Sequence, residues 1–296
     1  MGRKPRSASE HLLLRRGLVF GGAATLTGIS AAEQVLEFVY PRTHERPTDS
    51  YAFKMLNAAL AALGRQYTLR LSAMQLSSMR ALLALETGGV NVMDTGASPK
   101  VAEGGLILPF PLDLGLSGYR VMLVHRDRLD RLRSLHSTED LRKLSFGQGP
   151  DWVDTSILRA AGLKVQEAEF LSLFRMLEVG RFDAFPLGVD EASHLLKLFG
   201  HLAPSAVLLE DWCIHYRFAR VFAVQMHQPV LAEALTAGLS AIFSDGSARS
   251  ILSRDAHIGP LIEGQRRLPP KIFELDNRLW TAPFQAIPDR LFFRPR

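Results

Sequence analysis

Residues 35–71 of the chain read VLEFVYPRTHERPTDSYAFKMLNAALAALGRQYTLRL. One apolar run opens this stretch, another closes it, and between them apolar residues recur at helical spacing from Tyr51 to Leu63. Gly64 follows directly and can end that helix. A second helical stripe and a third apolar run follow over residues 79–93. Strands that alternate with helices are typical of a parallel sheet covered by helices, so this part of the chain predicts an α/β fold.

A second α/β unit is predicted to begin near residue 120. Residues 119–125 and 182–187 are apolar enough to form strands, with helical segments between them. Residues 177–184 also repeat the order of helix end, glycine and strand that occurs at residues 85–92. This repetition favours two related lobes.

The first 32 residues differ from the rest of the chain. They hold five arginine or lysine residues and one glutamate, followed by an uncharged run of small and apolar residues over 17–29. Small residues at 30–32 match a cleavage site, which completes the three-part layout of an export signal. Arg15 and Arg16 before the apolar run resemble a twin-arginine signal. We therefore predict an export signal over residues 1–32 and a periplasmic location, with an uncleaved membrane anchor as the alternative.

The charge of the chain is concentrated in that segment. The formal net charge is +5 for the whole chain, and the first 32 residues account for four of these charges. Little basic excess remains, so we do not expect nucleic acid as a partner. The rest of the chain has no run of ~20 apolar residues, which predicts no membrane span in the mature protein.

Cysteine and histidine usage argues against several kinds of site. Cys213 is the only cysteine, which rules out an intrachain disulfide and a zinc site of several thiolates, and we expect this thiol to be buried. The nine histidines are scattered, and no His-Glu-x-x-His, phosphate-binding loop or serine elbow occurs. We predict no metal, no cofactor and no enzymatic activity. The alternative is a periplasmic enzyme with a dispersed active site in a cleft between the lobes.

Three passages suggest a family. Residues 137–149 read STEDLRKLSFGQG, residues 180–184 read GRFDA, and residues 222–231 and 244–247 read FAVQMHQPVL and SDGS. In this order and spacing they resemble the type II periplasmic solute-binding proteins, especially the family that includes the amino-acid receptors of ATP-driven (ABC) importers. Those receptors usually carry an arginine before the first crossover that binds the α-carboxylate, whereas residues 95–117 of this chain contain no arginine.

The resemblance implies two α/β lobes joined by two crossover strands, near residues 117–122 and 216–222. Lobe one would comprise residues 33–118 and 221–296, and lobe two would comprise residues 119–220. A small polar or amino-acid-like ligand would bind between the lobes and hold them closed, because it contacts both lobes only in the closed state. The partner would be a membrane importer or a sensor receptor.

Candidate ligand-binding residues follow from the position of strand ends. In a parallel α/β sheet, ligands gather beyond the carboxyl ends of the strands, where helix N-termini point. This rule selects Tyr40, Arg42, Asp94, Ser98, Gln148, Asp151, Trp152, Thr155 and Phe185. Arg120 is a further candidate, because it lies on a predicted crossover strand and could pair with a ligand carboxylate.

Several of these residues allow two interpretations. Backbone N–H groups at the 147–155 turn suit an anion, whereas Asp151 and Asp154 suit helix capping or a cationic group. Trp152 would line the ligand or pack in the core. The two arginines would each pair with a ligand carboxylate or be solvated.

Overall fold

The computed structural model describes residues 35–43, 50–150 and 152–295. The predicted export signal and the candidate Asp151 lie outside the described residues. The strands are β1 (Leu36–Thr43), β2 (Tyr67–Leu76), β3 (Val92–Gly96), β4 (Gly105–Ile107), β5 (Tyr119–His125), β6 (Ser145–Gln148), β7 (Lys164–Glu167), β8 (Ala184–Gly188), β9 (Ala206–His215), β10 (Arg220–Gln225) and β11 (Lys271–Glu274). The helices are α1 (Tyr51–Ala61), α2 (Ser78–Thr87), α3 (Pro99–Gly104), α4 (Leu129–Arg133), α5 (Thr138–Arg142), α6 (Val153–Ala160), α7 (Phe170–Glu178), α8 (Ala192–Phe199), α9 (Pro229–Ser244), α10 (Ser247–Ser253), α11 (Gly259–Ile262) and α12 (Ala282–Gln285).

The first lobe contains two groups of strands. β1 and β2 are parallel, and β10 lies between β3 and β4 and runs antiparallel to both. Asn91 links the groups, because its side-chain Oδ1 accepts the N–H of Val39 at 2.7 Å and its own N–H donates to the Val39 carbonyl at 3.0 Å. Helices α1 and α9 pack closely. Gly238 of α9 lies so near the carbonyl of Ala59 that a side chain there would overlap with it.

Six strands form the sheet of the second lobe, in the order β11-β9-β5-β8-β6-β7. β6 is parallel to β7 and β8, whereas β5 is antiparallel to both of its neighbours, β8 and β9. The chain enters this sheet before β5 and leaves it between β9 and β10. The two-lobed α/β fold with two crossovers is therefore confirmed.

The C-terminal region differs in part from the expected lobe division. Strand β11 lies within residues 221–296, which were expected in lobe one, but it pairs in parallel with β9 in the other sheet. It covers the outer edge of β9, and Phe273 packs edge-on against the buried ring of Trp212 at 5.5 Å. The remaining lobe boundaries stay a prediction.

One local prediction can be compared with the structure, since Cys213 is fully buried, as expected. Helix α6 begins at Val153, and just before it the N–H of Trp152 closes a turn on the carbonyl of Gly149 at 3.3 Å.

Candidate functional site

The ends of three neighbouring strands meet at one edge of the second-lobe sheet. The register places Arg120, at the start of β5, opposite Gly188 at the end of β8. Gln148 ends β6 at the same side, and its Nε2 donates to the carbonyl of Pro186 in β8 at 3.1 Å. Helix α6 begins just beyond this edge. The structure thus brings together Arg120, Gln148 and the first turn of α6.

Arg120 is buried at the centre of a group of charged and aromatic side chains. Its Nη2 is 2.7 Å from Oδ1 of Asp154, and its Nη1 is 3.9 Å from Oε1 of Glu191. The guanidinium also lies 5.6 Å from the ring centre of Tyr216 and 5.2 Å from that of Phe218. The side chains of Arg120 and Asp154 are only 7% and 10% exposed. We call these five residues the Arg120 cluster.

The protonation of the Arg120 cluster follows from its surroundings. Burial alone would lower the pKa of Arg120, but Asp154, Tyr216 and Glu191 beside it raise that pKa above its ordinary value. Burial raises the pKa of Tyr216 well above its ordinary value, and Asp154 adds to this effect. The Tyr216 hydroxyl therefore keeps its proton and donates a hydrogen bond to Asp154. Arg120 and Tyr216 are thus both donors to one carboxylate.

Two buried polar atoms at this edge have no hydrogen-bond partner within the part of the chain that the structure describes. They are Nε of Arg120, a donor, and Oε1 of Gln148, an acceptor. Gln148 is only 1% exposed. A buried polar group without a partner costs about 1–3 kcal/mol, and native proteins leave few of them. One donor and one acceptor at the same sheet edge are therefore without a partner among the described residues.

A second polar group joins three strands of the first lobe. Asp94, in β3, accepts two hydrogen bonds on Oδ2 from Arg220, from Nε at 3.1 Å and from Nη2 at 2.9 Å. Its Oδ1 accepts the hydroxyl of Tyr40 from β1. We call Tyr40, Asp94 and Arg220 the Asp94 cluster. It places two of the candidate residues, Tyr40 and Asp94, in direct contact.

The Asp94 cluster is connected to the crossovers. The N–H of Arg220 donates to Asp113 at 3.2 Å, and the same carboxylate accepts the N–H groups of Gly115 and Ser117, both at 3.0 Å. Asp113 is fully buried, so its charge is compensated by backbone dipoles and by the Ser117 hydroxyl. This carboxylate fixes the first crossover relative to the start of β10.

Phe218 joins the two lobes between these clusters. Its ring belongs to the Arg120 cluster, yet a Cβ added to Gly96 at the end of β3 would lie only 2.6 Å from the Phe218 ring. One aromatic ring on the second crossover therefore touches the strand-end edges of both lobes.

The 147–155 turn is already covered by a protein side chain. The indole of Trp152 lies directly over Gly149, and it stacks towards Phe185 with ring centres 6.5 Å apart and towards Phe170 at 6.1 Å. Thr155 donates its hydroxyl to the carbonyl of Gly149 at 3.1 Å. Of the two interpretations of Trp152, its contacts support packing in the second lobe, where Phe185 is fully buried.

The remaining candidates lie apart from both clusters or have structural partners. Arg42 is exposed, and its N–H donates to Ser72 Oγ at 2.9 Å. Ser98 caps helix α3 by accepting the N–H of Val101 at 3.3 Å. The role of each candidate in ligand binding remains a prediction.

Four residues of these clusters were missed by sequence reasoning, namely Glu191 and three residues of the second crossover. Tyr216, Phe218 and Arg220 follow one another at every second position along the second crossover. This alternation of large side chains places them on one side of an extended chain, and it is the signal that could have identified them.

Within the described ranges, no group of three or more histidine, cysteine, aspartate or glutamate residues could hold a metal ion. No helix there is both long and apolar enough to cross a membrane.

Neither a model of a known protein family nor a curated protein matches the chain by sequence. Solved structures do match its fold. An ancestral arginine-binding protein bound to arginine is 15% identical, with a TM-score of 0.55, over 74% of this chain and 98% of that chain. A histidine kinase sensor domain with similarity to periplasmic binding proteins is 17% identical, with a TM-score of 0.55, over 76% and 97% of the two chains. The ancestral amino-acid-binding protein AncCDT-1, a precursor of cyclohexadienyl dehydratase, is 14% identical, with a TM-score of 0.54, over 74% and 94%. This chain therefore has the two-lobed α/β fold of the periplasmic solute-binding proteins.

Proposed function

We propose that this protein binds a small polar, amino-acid-like ligand between its two lobes. The observation that carries the proposal is the pair of partnerless atoms at the edge of the second lobe. A ligand carboxylate would accept from Nε of Arg120, and a ligand ammonium or amide would donate to Oε1 of Gln148. A molecule with both kinds of group would satisfy both atoms.

The charges of the two clusters support a ligand with a cationic group. Arg120 faces Asp154 and Glu191, and Arg220 faces Asp94. The two clusters together therefore contain three carboxylates and two guanidinium groups, a negative excess of one charge. A simple anion would add to this negative excess, whereas an ammonium group would reduce it. Amino acids and similar zwitterions fit better than organic acids or sugars.

The closed, ligand-bound protein would act on a membrane partner from the periplasm. The predicted export signal supports this location. The structural relatives include an arginine-binding protein and the sensor domain of a histidine kinase, so the partner would be an importer or a sensor receptor. In both cases the partner would bind the closed form of the two lobes in preference to the open form.

A thermal-shift screen of the purified chain against amino acids, polyamines, organic acids and sugars tests the proposal. A ligand at 100 times its Kd adds about 2.7 kcal/mol of stability. At about 2–4 °C per kcal/mol for a chain of this size, Tm should rise by about 5–10 °C for one zwitterionic or cationic class. If no class of solute raises Tm, the proposal is wrong.

A matched pair of glutamine variants locates the site. Gln148→Met removes the partnerless acceptor, so we expect it to abolish the ligand-induced rise in Tm. Gln166→Met is the control, because Gln166 also donates to a backbone carbonyl, that of Arg181 at 2.8 Å, but its side chain lies in β7 and is exposed. A ligand response that survives Gln148→Met would place the binding site elsewhere.

A dispersed active site in the cleft is the second candidate function. It is favoured by one structural relative, the binding protein that is a precursor of cyclohexadienyl dehydratase. Each solute that raises Tm would be incubated with the protein and followed by NMR. Conversion of many equivalents of solute, lost in Gln148→Met, would establish an enzyme, whereas unchanged solute would support binding alone.

A further inference from the structure

The C-terminal segment 271–293 runs from one lobe to the other across both crossovers. At its start, β11 is hydrogen-bonded to β9 in the second-lobe sheet. Immediately after β11, the N–H of Leu275 donates to the carbonyl of His215 at 2.8 Å. The segment therefore leaves the second lobe at the point where the second crossover begins.

The segment then encloses the side chain of Arg217 on the second crossover. The guanidinium lies 3.6 Å from the ring centre of Phe292 and 5.6 Å from that of Trp280. Its Nη2 also pairs with Asp289 at 2.6 Å, and Asn277 donates to the Arg217 carbonyl at 2.7 Å. Four residues of the segment thus contact one residue of the crossover.

The same segment contacts the first crossover. The ring of Phe292 lies against Gly115, so closely that any side chain at 115 would overlap with it. The N–H of Phe293 donates to the carbonyl of Leu114 at 2.8 Å. Leu114 has a φ of 54°, and it is the one non-glycine residue of the described ranges with a positive φ. Such a conformation is costly and persists where neighbouring contacts hold it, as the segment does here.

The middle of the segment is anchored in the first lobe. Phe284 and Ile287 are buried in a small apolar cluster with Ala97, Ala219 and Val221. The order along the segment is therefore second lobe, crossovers, first lobe, and finally the crossovers again.

We propose that segment 271–293 is a third connection between the lobes, which limits how far they open. Two crossovers alone can bend together, but opening must also move Phe292 and Trp280 relative to Arg217, or detach Phe284 from the first lobe. The segment thereby keeps the unliganded protein close to its closed form. This inference rests on the proposed function, because lobe opening matters where a ligand enters the cleft.

We call this third connection, segment 271–293, the brace. Spin labels on the two lobes test it in the absence of any ligand. Lys54→Cys on α1 and Lys197→Cys on α8 place labels at exposed positions, while Cys213 is buried and stays unlabelled. Phe292→Ala removes the ring that touches both crossovers. The contact between Arg217 and Phe292 is a partly desolvated cation–π contact, and it would stabilise the form with the shorter interlobe distance. Without it, we expect the population with the longer interlobe distance to rise by roughly fivefold or more.

Two further variants keep this test decisive. Arg217→Gln removes the guanidinium between the two rings without altering the segment, so it should give the same shift if Phe292→Ala does not fold. Arg290→Ala changes an exposed residue of the segment and should leave the distances unchanged. Identical distance distributions in the parent, Phe292→Ala and Arg217→Gln proteins would overturn the proposal.

The outcome separates this inference from the proposed function. If no solute raises the Tm of the parent protein while Phe292→Ala still opens it, the brace stands and the binding proposal fails. If a solute raises the Tm of the parent protein but neither Phe292→Ala nor Arg217→Gln lengthens the interlobe distance, the binding proposal stands and the brace fails.

Discussion

Replacing Arg120 by methionine tests how far the fold depends on the buried ion pair of the Arg120 cluster. Opposite charges 2.7 Å apart attract by about 6 kcal/mol at an effective dielectric constant of about 20, and burial of both ions offsets much of this attraction. Methionine preserves apolar volume, but it removes the guanidinium from the buried carboxylate of Asp154, to which the Tyr216 hydroxyl still donates. Removing one member of a buried pair costs about 3–5 kcal/mol, so we expect a loss of that size.

Urea unfolding of Arg120→Met, with and without Asp154→Asn, measures this dependence. Asparagine at 154 has no charge and still accepts from Tyr216. We therefore expect the double variant to regain about 1–3 kcal/mol relative to Arg120→Met alone. Arg159→Met on the same helix is the control, since its pair with Glu167 is solvent-exposed and should contribute less than about 1 kcal/mol. A double variant that is less stable than Arg120→Met would refute the reasoning.

Three further results are expected. Gly238→Ala should lower Tm sharply, because its Cβ would overlap with the Ala59 carbonyl, whereas Ser240→Ala on the exposed side of α9 should change Tm little; equal effects would contradict the close packing of α1 and α9. Burial raises the pKa of the Cys213 thiol to about 12, so it should react with a thiol reagent only after unfolding, and rapid labelling of the folded protein would disprove this. Burial also lowers the pKa of His257 below 6.5, so the unfolded chain binds this proton more readily. Stability should therefore fall as the pH drops from about 7.5 to about 5.5, and His257→Gln should weaken that fall in urea midpoints; an unchanged fall would assign it to other groups.

The fold could be predicted because its signals are local. Helical spacing over residues 51–63 and the apolar runs around it depend on near neighbours in the chain, and the structure has α1 between the parallel strands β1 and β2. The pairing of β11 with β9 could not be predicted in this way. It joins strands about sixty residues apart, and no short-range pattern encodes which strand edge remains open.

The site could be predicted only in part, for the same reason. The rule of strand ends selected Tyr40, Asp94 and Gln148; Gln148 does end β6, whereas Tyr40 and Asp94 lie inside β1 and β3. Which of them would be paired within the protein depends on contacts between distant positions. Asp94 meets Tyr40 across 54 positions and Arg220 across 126 positions of the chain. Sequence spacing carries no record of these pairings, so the contact of Asp94 with Arg220 was not predicted.

Arg120 pairs with Asp154 and Arg220 pairs with Asp94, and these two ion pairs have a consequence for selectivity. A zwitterion that binds as proposed would lie beside side chains that are already paired with each other, so any contact that it loosens would offset part of its binding free energy. The negative excess of the two clusters would favour a cationic group, but it would not distinguish one zwitterion from another. Discrimination would depend on whether the spacing of the functional groups of the solute matches the partnerless atoms of Arg120 and Gln148.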